Sequence, residues 1–178
     1  LQNTNIRKCY GFTELFKRGI VLESWADISI LVDDKKWQYS SVEGFSPKGR
    51  FDNMMPVSHP HSQYAGGFKN WHHCKLSSPW FFAEKTGTPF LQLGAEWNLE
   101  VHNLKILPGM VRYDVNSSTN VNLMLPIPKP LGSYVVNIPA GQPLTQFVPL
   151  VDDVKLKVKC HLVDDDEIKR IINPIMSF

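Results

Sequence analysis

Histidine and cysteine side chains form two compact groups in this sequence, and both residue types are common zinc ligands. The first group is His59 and His61, and the second is His72, His73 and Cys74. If the two groups converge in the fold, they could form a zinc site, as in a cupin-like metal enzyme. The alternative is that the histidines are solvated or structural, because a cupin-type site needs a glutamate soon after its His-x-His pair and none follows here. The neighbours His72 and His73 would also point to opposite sides of a strand.

Aromatic side chains offer a different chemistry, which is the stacking of a base or a sugar ring. Trp80 and Phe81 stand side by side, and Trp71 and Trp97 lie near them in the sequence. The alternative is that these rings fill a core or a subunit interface, as large aromatic side chains commonly do. The residue types leave ring binding and structural packing both open.

Several motifs of well-known catalytic sites are missing from the chain. It contains no Gly-x-Ser-x-Gly elbow, no phosphate-binding loop and no dinucleotide-binding glycine pattern. Cys74 follows His73 directly, but neighbours in sequence are not a nucleophile and its base. The sequence therefore gives no support for nucleophilic catalysis.

Composition narrows the class of protein. The length of 178 residues suits one domain, residues 1–178, and 43% hydrophobic with 20% charged residues is ordinary for a globular protein. A net charge of +2 gives no electrostatic reason to expect nucleic-acid or membrane binding. Three widely separated cysteines argue against a disulfide framework, so we expect an intracellular protein rather than a secreted one.

Short β-rich segments separated by proline and glycine turns predict an all-β sandwich with one or two short peripheral helices. One helix is predicted between Gly11 and Gly19, with Thr13 as its N-cap. A β-hairpin is predicted from residues 24–32 and 37–42.

The rest of the chain divides into three predicted parts. Residues 44–74 are a long irregular connection rich in proline and glycine, residues 75–162 hold the core strands, and residues 164–178 form a helix and an apolar tail. Within the core strands, residues 153–162 alternate lysines with apolar residues, which is typical of an edge strand.

Two motifs in the C-terminal half resemble the family of trimeric dUTP pyrophosphatases and dCTP deaminases. Residues 109–114, Gly-Met-Val-Arg-Tyr-Asp, fall on the family's Gly-Val-Ile-Asp-x-Asp motif, and residues 141–146, Gly-Gln-Pro-Leu-Thr-Gln, fall on its Gly-Asp-Arg-Ile-Ala-Gln motif. Gly109 would allow a turn with positive φ, and Gly141 would end a tight turn before Gln146 enters a strand. The resemblance implies a β-clip or jelly-roll-like fold, a homotrimer and a nucleotide ligand.

The same resemblance implies where that nucleotide would bind. Its contacts would come from Arg112, Asp114 and Gln146, with the aromatic residues Trp80 and Phe81 beside them. Arg112 stands where the family has its water-activating aspartate, and the family's phosphate-binding Pro-Arg-Ser motif and glycine-rich lid have no counterpart. We therefore expect a non-catalytic binding or structural module. The alternative is a divergent nucleotide hydrolase with Asp114 as the base and magnesium on the phosphates.

A second resemblance covers most of the chain. The start of the sequence, its Trp-Ala-Asp-Ile strand and its Ser-Pro-Trp-Phe segment are similar to an uncharacterised protein family of tailed phages that infect marine cyanobacteria. This similarity implies a phage protein, located either in the virion or in the cytoplasm of a bacterial host. It implies no activity.

Overall fold

The fold was determined as a computed structural model, which describes residues 9–41, 57–58, 69–95, 103–130, 132–152, 155–164 and 166–167. One helix and eleven strands lie in these ranges, and strands dominate. In chain order they are α1 (Tyr10–Lys17), β1 (Ile20–Glu23), β2 (Ile28–Asp33), β3 (Trp37–Ser41), β4 (Val57–Ser58), β5 (Trp71–Phe81), β6 (Pro89–Gly94), β7 (Lys105–Ile106), β8 (Gly109–Arg112), β9 (Ser118–Pro126), β10 (Ser133–Ile138) and β11 (Pro143–Pro149).

The strands form three antiparallel sheets. The first has the order β1-β11-β6-β8, the second β10-β2-β3, and the third β4-β5-β9-β7. Buried side chains from all three sheets contribute to one hydrophobic cluster, which includes Ile30, Leu76 and Phe147. The prediction of an all-β sandwich of short strands is therefore confirmed, while the β-clip assignment rests on the sequence resemblance alone.

The predicted N-terminal hairpin shows why these residues form strands. Ile28, Ile30 and Val32 alternate with more exposed neighbours and are almost fully buried. This period of two places them on the core face of β2, which pairs with β3 on one side and β10 on the other. The hairpin is confirmed, although its first strand starts at Ile28, later than predicted.

Strand β11 is buried on both faces and holds α1 in place. Gln146 is 1% exposed, and its side-chain amide donates to the carbonyl oxygens of Leu15 and Arg18, at 2.7 and 2.5 Å. These carbonyls lie at the C-terminal end of α1, where the Leu15 oxygen also accepts the Arg18 backbone N–H at 3.2 Å. Next in the chain, Gly19 has a φ of +91°, a conformation common just after a helix end, so the predicted end of the helix at Gly19 is confirmed.

Other predictions about the elements need correction. Residues 155–162 form no strand, although their alternation predicted one, because no neighbouring strand supplies hydrogen bonds to them within the described structure. β5 begins at Trp71, inside the predicted connection of residues 44–74, and Val57–Ser58 within that connection pairs with it as β4. Residues 44–56 and 59–68 of the connection lie outside the described residues.

The remaining corrections concern caps and turns. Helix α1 begins at Tyr10 after Cys9 as N-cap, and the hydroxyl of Thr13 donates to the Tyr10 carbonyl oxygen from inside the helix. Gly141 ends a turn as predicted, with a φ of +80°, whereas Gly109 lies in β8 and lacks the predicted positive φ. Most of the predicted C-terminal helix and tail, residues 164–178, lies outside the described residues. No helix among the described residues is long and apolar enough to span a membrane.

Candidate functional site

The predicted nucleotide residues Arg112 and Asp114 bind each other. Arg112 Nη2 lies 2.6 Å from Asp114 Oδ2, and Arg112 Nε lies 3.1 Å from Asp114 Oδ1. This paired geometry satisfies both carboxylate oxygens at once. The arginine hydrogen bond holds the pKa of Asp114 below its usual range and raises that of Arg112. Both groups are thus committed to an internal ion pair.

The loop after β5 packs against this ion pair. An added Cβ at Gly87 would lie 3.1 Å from Arg112 Nη2 and 3.4 Å from Asp114 Oδ2. Glu84 anchors the loop, because its carboxylate accepts hydrogen bonds from the backbone N–H groups of Thr86 and Thr88, at 2.7 and 3.0 Å. Thus Arg112 and Asp114, whose side chains stay 56% and 24% exposed, lie beside a loop held by its own hydrogen bonds.

The other predicted nucleotide residues are distributed around the fold. Trp80 is 46% exposed and lies with Phe81 at the C-terminal end of β5, just before the loop over the ion pair. Gln146 pairs in register with Leu93, near one end of β6, whereas Arg112 pairs with Pro89 at the other end. The structure therefore brings Arg112 and Asp114 together but places Gln146 elsewhere, under α1.

The predicted zinc ligands are placed apart from one another wherever they are described. His72 Nε2 lies 2.9 Å from the carbonyl oxygen of Asp33, and His73 Nε2 lies 3.1 Å from Asn122 Oδ1. The two rings leave β5 on opposite faces, as expected for neighbours in a strand. Cys74 is fully buried, and burial raises the pKa of its thiol to about 12.

Cys74 also belongs to the hydrophobic core cluster, so its thiol lies among apolar side chains. No group of three histidine, cysteine or acidic side chains suited to a metal ion occurs among the described residues. His59 and His61 lie outside those residues. The geometry therefore gives His72 and His73 separate hydrogen-bonding roles.

An open groove of about 690 Å³ lies elsewhere, where β5 begins and β10 begins. Its walls are Asn70 and Trp71, Asn103, and the segments 126–130 and 132–134. The mixture of a tryptophan, a tyrosine, prolines and two amides is typical of ligand sites, which combine apolar surface with a few polar groups.

Hydrogen bonds fix the walls of this groove. The Ile127 backbone N–H donates to the Asn70 carbonyl oxygen at 2.9 Å, and the Tyr134 hydroxyl donates to the Pro126 carbonyl oxygen at 2.6 Å. Lys129 Nζ donates to Asn70 Oδ1 at 2.6 Å. The segment after β9 is thus tied both to the start of β5 and to β10, so the groove is formed before any ligand arrives.

The charged side chains described in and beside the groove are positive. Lys129 lines it, and Lys105 Nζ lies 5.2 Å from the centre of the Trp71 ring. None of the groove's lining residues carries a carboxylate. Sequence reasoning considered Trp71 as a stacking residue but missed Asn70, Lys129 and Tyr134, because the proline-rich segment was interpreted only as a turn.

Comparison of this chain with protein-family models, curated proteins and solved structures finds no match. The resemblances to the dUTP pyrophosphatase family and to the phage family therefore stay predictions. The function has to be argued from the geometry of the fold.

Proposed function

We propose that this protein is a non-catalytic binding module whose ligand site is the groove beside Trp71. The observation that supports the proposal is the contrast between two places in the fold. At Arg112 and Asp114 the charged groups neutralise each other beside a loop. At the groove, two aromatic rings, two amide groups and Lys129 line an open space whose walls are joined by hydrogen bonds.

The candidate catalytic groups are each poorly suited to catalysis. Asp114 would have to accept a proton as a general base, but its lowered pKa and its arginine partner make it a weak one. Cys74 is buried and protonated at neutral pH. The groove's walls contain no acid and base pair. We therefore expect ligands to leave the protein chemically unchanged.

Thermal shift measurements on matched tryptophan variants test the proposal. The panel holds nucleotides, including dUTP and dCTP with magnesium, and neutral and acidic sugars. Ligand binding raises the melting temperature of the wild type, and Trp71→Leu should abolish the rise. Trp80→Leu is the control, because Trp80 is an exposed tryptophan at the far end of the same strand. Equal responses in both variants, or product formation on incubation, would contradict the proposal.

A second candidate function, self-assembly, is favoured by residues 155–162. They alternate like a strand but pair with no described strand, and Val158 and Leu162 are 56% and 100% exposed. Strand β8 is an open edge of the first sheet, and its Met110 is 71% exposed. Pairing of residues 155–162 with β8 of a second copy would cover both apolar surfaces, as in β-strand addition.

Sedimentation analysis tests the assembly, including the predicted trimer. The wild type should sediment as an oligomer, and the double change Val158→Lys with Leu162→Lys should shift it to the monomer. Val115→Lys is the control, since Val115 is an equally exposed valine in a turn. A monomeric wild type at all concentrations would exclude this second function.

A further inference from the structure

We infer that the groove selects a small anion that carries a ring, either a planar base or a sugar, with one face of the ring against Trp71 and the negative group beside Lys129. This inference rests on the proposed binding function and adds the chemical class of the ligand. It depends on three features of the groove: the position of the lysines, the placement of the tryptophan and the nature of the remaining polar groups.

The first feature is a positioned ammonium group. Lys129 Nζ donates one hydrogen bond, to Asn70 Oδ1, and an ammonium group has three donors. The other two can reach oxygens of a phosphate or a carboxylate. No ion pair joins Lys129 to an acidic residue within the described structure. An anion in the groove would supply the missing counter-charge.

The second feature is the tryptophan with a cation beside it. Lys105 pairs with Met124 on β9, and Trp71 pairs with Pro126 two residues further along the same strand, so both side chains leave the same face of the third sheet. This arrangement explains the 5.2 Å separation of Lys105 Nζ from the ring centre. A planar ring stacked on Trp71 would therefore lie within the field of a second lysine, which again favours a negative ligand.

The third feature is the polar rim. Asn103 is exposed and holds a φ of +61°, which asparagine tolerates better than most residues. Its amide and that of Asn70 offer donors and acceptors to ring heteroatoms or hydroxyl groups. Tyr134 is engaged by its bond to Pro126, so its ring acts as a fixed wall. These groups suit both the base of a nucleotide and the hydroxyls of an acidic sugar.

Titration calorimetry with charged and neutral ligand pairs tests the inference. The probes are the four common nucleoside monophosphates with their nucleosides, and glucuronate with glucose. We expect one charged series to bind at least about tenfold more tightly than its neutral partners, with affinity falling as salt is raised. Binding of the nucleotides alone identifies phosphate as the anion, and binding of glucuronate alone identifies a sugar carboxylate.

Two lysine variants make the result specific. Lys129→Gln should remove most of the charged ligand's advantage while leaving the neutral partner's affinity unchanged. Lys85→Gln is the control, because Lys85 is an exposed lysine in the loop over the ion pair and lines no part of the groove. Equal affinity for charged and neutral partners would overturn the inference but keep the binding function. If no probe binds, and if Trp71→Leu also leaves the ligand-induced rise in melting temperature as it is in the wild type, the binding function itself fails.

Discussion

Arg112 and Asp114 stand two residues apart and close on each other through two hydrogen bonds, of 2.6 and 3.1 Å. In the family that the motif resembles, the position of Arg112 holds an aspartate that activates water. In this chain Arg112 offers no general base and instead pairs with the carboxylate of Asp114. Arg112 and Asp114 therefore form a structural ion pair.

Because of this ion pair, the free energy of unfolding should depend on pH in the acid range. The lowered pKa of Asp114 in the folded state means that its contribution is present above the unfolded value, about 4, and is lost as the pH falls through the folded value. Asp114→Asn should lower the melting temperature at pH 7, and the difference from the wild type should shrink towards pH 3. Melting curves across this range measure it. Asp34→Asn, in the turn between β2 and β3, is the control, and curves that stay parallel for Asp114→Asn would show that the ion pair adds no acid-dependent stability.

Glycine at position 19 is required by backbone contact as well as by conformation. Its φ is +91°, and an added Cβ would lie 2.0 Å from the carbonyl oxygen of Phe147. Gly19→Ala should therefore lower the free energy of unfolding by at least about 3 kcal/mol. Gly141 has a φ of +80° but open space around it, so Gly141→Ala should cost only about 1–2 kcal/mol. Urea unfolding of both variants compares them, and equal losses would contradict the contact.

The buried side-chain amide of Gln146 should stabilise the fold by its hydrogen bonds to the end of α1. Gln146→Leu keeps the apolar bulk but removes the side-chain donor from both carbonyl oxygens, and the Leu15 oxygen then keeps only the Arg18 backbone N–H at 3.2 Å. We expect a loss of about 1–3 kcal/mol in the free energy of unfolding, with early loss of the helical signal of α1. Gln38→Leu, on the exposed side of β3, is the control. No change on Gln146→Leu would show that α1 is held by its apolar contacts alone.

The hydroxyl of Tyr113 is a polar group in an apolar place. The ring packs edge to face with Phe82 and Phe147, and the hydroxyl is buried with no hydrogen-bond partner among the described residues. Burial raises its pKa, so the hydroxyl stays un-ionised. Tyr113→Phe should therefore leave stability unchanged or increase it by about 1 kcal/mol. A clear loss in urea unfolding would reveal a partner for the hydroxyl.

The three cysteines should differ sharply in reactivity. Cys9 and Cys160 are exposed, whereas Cys74 is fully buried with its pKa raised to about 12. A thiol reagent at pH 8 should modify the first two in the native protein and reach Cys74 only after unfolding. Mass spectrometry of the labelled peptides identifies the sites. Rapid labelling of Cys74 in the native state would show that β5 opens readily.

Strands were predictable where the alternation of apolar and polar residues within one segment is enough to identify them. Ile28, Ile30 and Val32 alternate with more polar residues, and this pattern alone fixes which face of β2 is buried. Residues 155–162 carry an equally clear alternation but form no strand, because alternation describes a segment's two faces and says nothing about a partner. A strand forms only where a segment has both an apolar face and a neighbouring strand to pair with.

The groove could not be predicted for a related reason. Its residues come from parts of the chain far apart in sequence, and Asn70, Lys129 and Tyr134 acquire their roles only through bonds across those parts. Trp71 was the one detectable signal, as an aromatic beside a glycine-rich segment. A nucleotide site at Arg112 and Asp114 was predicted from a local motif. That these two side chains bind each other depends on their geometry, which the residue types alone do not determine.

The pairing of β1 with β11 has a consequence for synthesis of the protein. Ile20 lies opposite Phe147, so the first strand of the described structure pairs with the last one. During translation β1 leaves the ribosome long before β11 exists, and Gly19 cannot take up its contact with Phe147 until then. The first sheet therefore closes late, and non-local pairing of this kind slows folding. Nascent chains arrested before Pro143 should hold α1 and β1 without a sheet to receive them.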